Sequence, residues 1–152
     1  MVLVTNKKME MDIERITRPF LFLRPRNLIA GIGCRRGTAA GTILAAVGLA
    51  LARAGLAAAS LKMLASIDVK SAEKGLIQAA QRLGIPLKLF SAREIQGLEG
   101  QFAVSEFVKK TVGVGAVCEP VAMLAGGNRT RLVLPKIVHQ GVTVAVAEES
   151  CP

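Results

Sequence analysis

The residues best suited to chemistry begin with the run Gly31-Ile32-Gly33-Cys34-Arg35-Arg36-Gly37-Thr38. Glycines at such spacing let a chain turn sharply and leave backbone N–H groups pointing outward, and a following helix adds the positive end of its dipole. Together these favour an anion, and two arginines strengthen the case because a guanidinium binds carboxylate or phosphate in bidentate fashion. Spacing excludes the common nucleotide motifs. No lysine follows Gly37, as a P-loop requires, and Arg36 stands where the third glycine of a dinucleotide fingerprint belongs. The acid that such a fingerprint places about 20 residues on is also missing, because no acid lies between Glu14 and Asp68. The alternative reading of this run is a tight strand-to-helix turn with solvated arginines.

Two further constellations carry acids. Ser66-Ile67-Asp68-Val69-Lys70, with Glu73 one helical turn on, follows an expected strand and should reach the edge of the sheet where open α/β folds bind ligands. Val117-Cys118-Glu119-Pro120 follows Gly113-Val114-Gly115 and puts an acid at the start of a helix. In both places helix capping competes with a catalytic role. Lys136 sits inside an expected strand, so it marks either a sheet edge or a site. Cys34 lies beside Arg35 near an expected helix N-terminus, conditions that lower a thiol pKa, but a nucleophilic thiol needs a base, and the lone histidine, His139, falls in an expected turn. No residues stand at metal-ligand spacing.

These groups need a frame to hold them. Leu28–Gly33 reads as a buried strand and Thr38–Ala54 as a buried Ala/Leu helix. Ala58–Ile67 reads as a second strand, Ser71–Leu83 as an amphipathic helix closed by Gly84, and Ile85–Phe90 as a third strand. Ser91-Ala92-Arg93-Glu94 has the form of a capping box, and further helices are expected from Ser105 and from Glu119-Pro120. Arg131–Val138 and Val142–Ala147, joined by His139-Gln140-Gly141, form a hairpin signal. The expected fold is therefore a three-layer α/β/α domain over residues 27–150, with a mixed, mostly parallel sheet ending in an antiparallel hairpin. Residues 1–26 read as a lead-in tail, linker or edge strand.

Composition bounds the partners. The chain of 152 residues is 51% hydrophobic, which suits one domain with a substantial core. Its longest charge-free run, Gly37 to Ala52, is too short to span a membrane, and no secretory signal is visible. Three scattered cysteines argue against a disulfide framework and for a reducing cytoplasm. The net charge of +9 is concentrated: residues 15–67 contribute +8 and contain no acid. An anionic partner is implied, yet a nucleic acid is disfavoured because only Phe20 and Phe22 accompany those cations.

Gly31 through Thr38, with Leu23-Arg24-Pro25-Arg26 upstream, resembles the C-terminal domain of the cobalt-precorrin-5A hydrolases of cobalamin biosynthesis. Further matches are Ser66 to Lys70 with Glu73, Gly84-Ile85-Pro86, Ser105, Val112-Gly113-Val114, Cys118-Glu119-Pro120, Leu134-Pro135-Lys136 and Val142-Thr143-Val144. Some relatives are free-standing domains; others end a longer hydrolase whose N-terminal part has no counterpart here. The resemblance implies hydrolysis of a δ-lactone on a corrinoid intermediate with release of acetaldehyde, or a non-catalytic corrinoid carrier. It implies no cofactor, since cobalt belongs to the substrate. Gly31, Gly33, Cys34, Arg35, Arg36, Gly37, Thr38, Ser66, Lys70, Ser105 and Lys136 are the expected binding residues, and Asp68 or Glu119 the expected catalytic acid or base. The partner implied is a tetrapyrrole polycarboxylate, and the rest of the longer hydrolase is a further one.

Overall fold

The computed structural model describes residues 2–4, 6–7, 21–23, 26–68, 74–96, 117–127 and 129–150. Seven strands and four α-helices follow in chain order. They are β1 (Val2–Val4), β2 (Leu21–Leu23), β3 (Leu28–Gly33), α1 (Ala40–Ala54), β4 (Leu61–Ile67), α2 (Lys74–Leu83), β5 (Leu87–Phe90), α3 (Ala92–Gln96), α4 (Cys118–Gly126), β6 (Thr130–His139) and β7 (Val142–Glu149). The main sheet has the order β5-β4-β3-β7-β6. Its β3–β4 and β4–β5 pairs are parallel, and its β3–β7 and β7–β6 pairs are antiparallel. β3, β4, β5 and β6 thus run one way and β7 runs against them.

Alternation along β3 divides the core into two halves. Leu28, Ala30 and Ile32 pack with Ile43, Val47 and Leu51 of α1, Leu76 of α2 and Val142, Val144 and Val146 of β7. Ile29 faces the other way, into a cluster with Ala65, Ile67, Phe90, Ile95 and the α4 residues Val121, Ala122 and Ala125. Helices therefore cover both faces, as the period-2 pattern of a strand buried on both sides demands. Each fully buried leucine, isoleucine or valine here contributes about 1.5–3 kcal/mol of burial free energy.

Boundaries differ from the sequence reading where backbone hydrogen bonding outranks apolar pattern. α1 begins at Ala40, because Thr38 is held in a turn by bonds from its N–H and its hydroxyl to the Arg35 carbonyl (3.2 and 2.6 Å). Ala58–Ser60 forms a 3-10 turn, so the second strand starts at Leu61. His139 is not in the turn: it pairs with Val142 at the end of β6, and Gln140 and Gly141, both with positive φ, make the two-residue connection. The capping box forms, with Glu94 N–H donating to Ser91 Oγ (3.2 Å) and Ser91 N–H to the Glu94 carboxylate (3.3 Å). Lys136 answers to a sheet edge. It is exposed on the outermost strand, where the β6–β7 register shifts between Leu134 and Ile137 around Pro135. The helix expected from Ser105 and the segment Ser71 to Glu73 lie outside the described residues.

The lead-in is attached to the domain. β1 and β2 pair in parallel as a separate two-stranded sheet, Lys7 bridges to Leu56, and buried Asn6 donates to Asn27 and to Glu148 (3.2 and 3.1 Å). These contacts gather at the amino end of β3, opposite the expected site.

Candidate functional site

The carboxyl ends of β3 and β4 and the start of β7 meet at one edge, and α1 and α4 both begin there. On the α1 side the chain leaves β3 at Gly33 and turns through residues 34–39. Gly37 takes φ +82°, a conformation open to glycine, and closes the turn that the Arg35 carbonyl anchors. Ala39 occupies the N-cap position of α1 with no side-chain cap, and the first turn of α1 has no acid. The Thr42 N–H turns back to the Ala39 carbonyl (3.1 Å), and the amides of Ala40 and Gly41 at the head of this 15-residue helix are left for an external acceptor.

Beside this helix start lies a cleft of about 570 Å³ between the turn and α2. Arg36, Lys74 and Arg82 line it together with Gln78 and residues 37–41, and among the described residues no acid or aromatic residue does. None of the three cations forms an ion pair among the described residues. The close seating of α2 depends on Gly75: a Cβ there would overlap the Thr38 carbonyl oxygen. Lys74, Gln78 and Arg82 follow at four-residue spacing on the exposed face of α2, so they form one row along the cleft.

On the α4 side the described residues pack closely. Gly31 lies under the first turn of α4, where a Cβ would overlap the Cys118 carbonyl oxygen. The Cys118 thiol is buried and hydrogen-bonded to Thr143, whose hydroxyl also donates to the Gly33 carbonyl (3.3 Å). Burial pushes this thiol up to about 11; the Thr143 hydroxyl and the Lys136 charge act in the opposite sense, while Glu119 adds to the rise. Half-buried Glu119 accepts a hydrogen bond from the Lys136 backbone N–H (2.8 Å), which clamps the register shift of β6 onto α4.

The expected site residues therefore divide. Arg35, Arg36, Gly37 and half-exposed Thr38 stand on the open turn, Asp68 is exposed just beyond β4, and Glu119 and Lys136 sit at the α4 side. Among the described residues, Gly31, Cys34 and Ser66 do not present side chains or space to a ligand, and Gly33 is buried. Gly31 is filled by α4, Gly33 gives its carbonyl to Thr143, and Ser66 is buried with its hydroxyl on the Ile32 carbonyl (2.8 Å). Cys34 is wholly buried in the α1-side core and lies six residues before α1, so it is not a thiol at a helix N-terminus. Lys70 and Ser105 lie outside the described residues. The charge block also disperses: Lys62 pairs with Glu149 (2.7 Å) and Arg53 ends α1, both away from the cleft, whereas Lys74 and Arg82 come from beyond the acid-free stretch. Sequence reasoning missed Lys74, Gln78, Arg82 and Thr143. Its one available signal was the four-residue spacing on a helix entered from the carboxyl edge.

Comparison with known proteins adds a family to this geometry. Residues 28–147 match the family described as "Cobalamin synthesis G C-terminus". The chain is 36% identical over 135 residues to a cobalt-precorrin-5A hydrolase of Salmonella typhimurium, covering 89% of this chain and 38% of that one. It is 33% identical to Protein CobE of a Sinorhizobium species, covering 79% of each. The chain spans about two fifths of the length of the hydrolase relatives. A solved structure of CobE superposes with TM-score 0.69 at 33% identity, covering 82% of this chain and 91% of that one. The cobalamin biosynthesis protein chiG of Agrobacterium tumefaciens superposes with TM-score 0.67 at 33% identity, covering 82% and 99%.

Proposed function

The chain belongs to the cobalamin synthesis G C-terminal family, and from that premise we propose that it binds a corrinoid polycarboxylate and serves the hydrolysis of cobalt-precorrin-5A. The observation that carries the reading is a cleft that, among the described residues, holds three cations without an ion pair and no acid, beside a helix start with no side-chain cap, which suits a carboxylate-rich ligand. In the reaction, water adds to the lactone carbonyl and the acyl–oxygen bond breaks to give a carboxylate and an alcohol on the extruded carbon. The alcohol then loses its proton, the C–C bond to the macrocycle breaks with its electron pair passing into the conjugated ring, which takes up a proton, and the two-carbon fragment leaves as acetaldehyde. Arg35 and the turn amides stabilise the oxyanion that develops. Asp68, exposed beside the turn, accepts the proton of the attacking water, while Glu119 positions the α4 side. Cobalt arrives within the substrate.

A carrier role is the second reading, and the match to CobE across most of both chains favours it, because the hydrolase relatives contain extra length that this chain does not span. Incubating the purified chain with cobalt-precorrin-5A and coupling acetaldehyde to an alcohol dehydrogenase separates the two. Stoichiometric aldehyde supports hydrolysis by this chain. Tight binding without aldehyde assigns the carrier role and leaves the chemistry to the additional part of the longer relatives. RNA binding is disfavoured because, among the described residues, the basic cleft has no aromatic side chain on which a base could stack.

A further inference from the structure

We propose that the cleft between α1 and α2 is a subsite that reads the rim of the substrate, with Lys74 and Arg82 as its specificity-determining residues. Arg36 and the leading amides of α1 hold one carboxylate, and the row Lys74, Gln78, Arg82 holds a neighbouring one. The proposal rests on the corrinoid reading above and deepens it by assigning the cations that α2 brings to the cleft to a second carboxylate of the same ligand.

Three features lead here. Like charges brought into one cleft repel unless an anion lies between them, and neither an acid of the lining nor an ion pair among the described residues neutralises these. The row on α2 spans eight residues, about 12 Å at the helical rise, which is longer than a single phosphate or carboxylate needs and fits groups spaced along a large ring. Among the described residues no aromatic side chain lines the cleft, so this lining engages the charged edge of a macrocycle and not its face. Gln78, between the two cations, donates to a carboxylate without adding charge. The Arg82 guanidinium fixes the orientation of its carboxylate through two N–H groups, whereas Lys74 attracts without orienting.

Fluorescence titration of the full chain with uroporphyrin III, an octacarboxylate, tests this, with the octamethyl ester as the uncharged control. The double variant Lys74→Ala/Arg82→Ala changes two exposed side chains and should keep the melting temperature of the parent. Its affinity for the free acid should fall at least tenfold, Arg82→Lys should lose less than Arg82→Ala, and the ester should not distinguish parent from variant. Equal affinity of parent and double variant for the free acid overturns the subsite. With cobalt-precorrin-5A, a raised KM at nearly unchanged kcat supports it, and an unchanged KM with normal aldehyde release overturns it while leaving the hydrolase reading intact. If the parent releases no aldehyde yet the free acid still discriminates parent from variant, the subsite stands and the hydrolase reading falls.

Discussion

Each flank of the carboxyl edge seats a helix on a glycine, but the glycine belongs to opposite partners. On the α4 flank it is Gly31 of the central strand, and the helix is pressed into the sheet; on the α2 flank it is Gly75 of the helix, and the strand-to-helix turn is pressed into it. The first arrangement buries Cys118 and Thr143 among the described residues. The second leaves a cleft of about 570 Å³ whose cations face water. Rigidity and ligand access are thus divided between the two sides of one strand, and the open side borrows its stable backbone from the closed side.

Breaking the closed flank should have the largest effect. Gly31→Val drives a branched side chain into the backbone of α4, and a loss above about 4 kcal/mol, or failure to fold, is expected in urea denaturation. The next largest is a pH effect. Because the folded state favours the neutral Cys118 thiol, with its pKa raised from 9.0 to about 11, its contribution is intact below pH 9.0 and is lost as pH rises through about 11. The loss should total roughly 2–3 kcal/mol, and Cys118→Ala should remove that slope while leaving the rest of the pH curve in place.

Gly75→Ala acts on the open flank. It should cost about 2 kcal/mol and weaken uroporphyrin III binding, because α2 has to move away from the Thr38 carbonyl. If the same substitution leaves binding intact, the cleft does not depend on the seating of α2 and the contrast between flanks fails. The smallest stability effect is at Glu119. Glu119→Ala leaves the Lys136 N–H without its acceptor and should cost about 1 kcal/mol, whereas Glu119→Gln keeps an acceptor and most of that stability. Turnover decides the rest: preserved kcat in Glu119→Gln confines Glu119 to positioning, and a loss above a hundredfold places it in the chemistry.

Local patterns were legible because local forces set them. The glycine turn, the capping box at Ser91, the hairpin before Val142 and the mixed sheet all followed from spacing within a few residues. What escaped the sequence depends on distant partners. Nothing near Gly31 announces that the Cys118 carbonyl will rest on it, and nothing near Ser66 announces that Ile32 will take its hydroxyl. Gly75 looks like a weak point in an amphipathic helix until the turn at Thr38 is beside it. Net charge did not by itself place the cleft, since Lys62 pairs with Glu149 while Lys74 and Arg82, outside the basic stretch, line it beside Arg36.

The position of β7 bears on how such a chain comes off the ribosome. The strand inserted between β3 and β6 is made more than 100 residues after β3, and its Val142, Val144 and Val146 are wholly buried. Until residues 142–149 emerge, β3 has an unpaired apolar edge, and the Gly33 carbonyl lacks Thr143. Such non-local pairing folds slowly and exposes a strand to aggregation in the interval. Nascent chains stalled before Val142 should therefore be strong chaperone clients, and release of the final hairpin should end that dependence within one cooperative step.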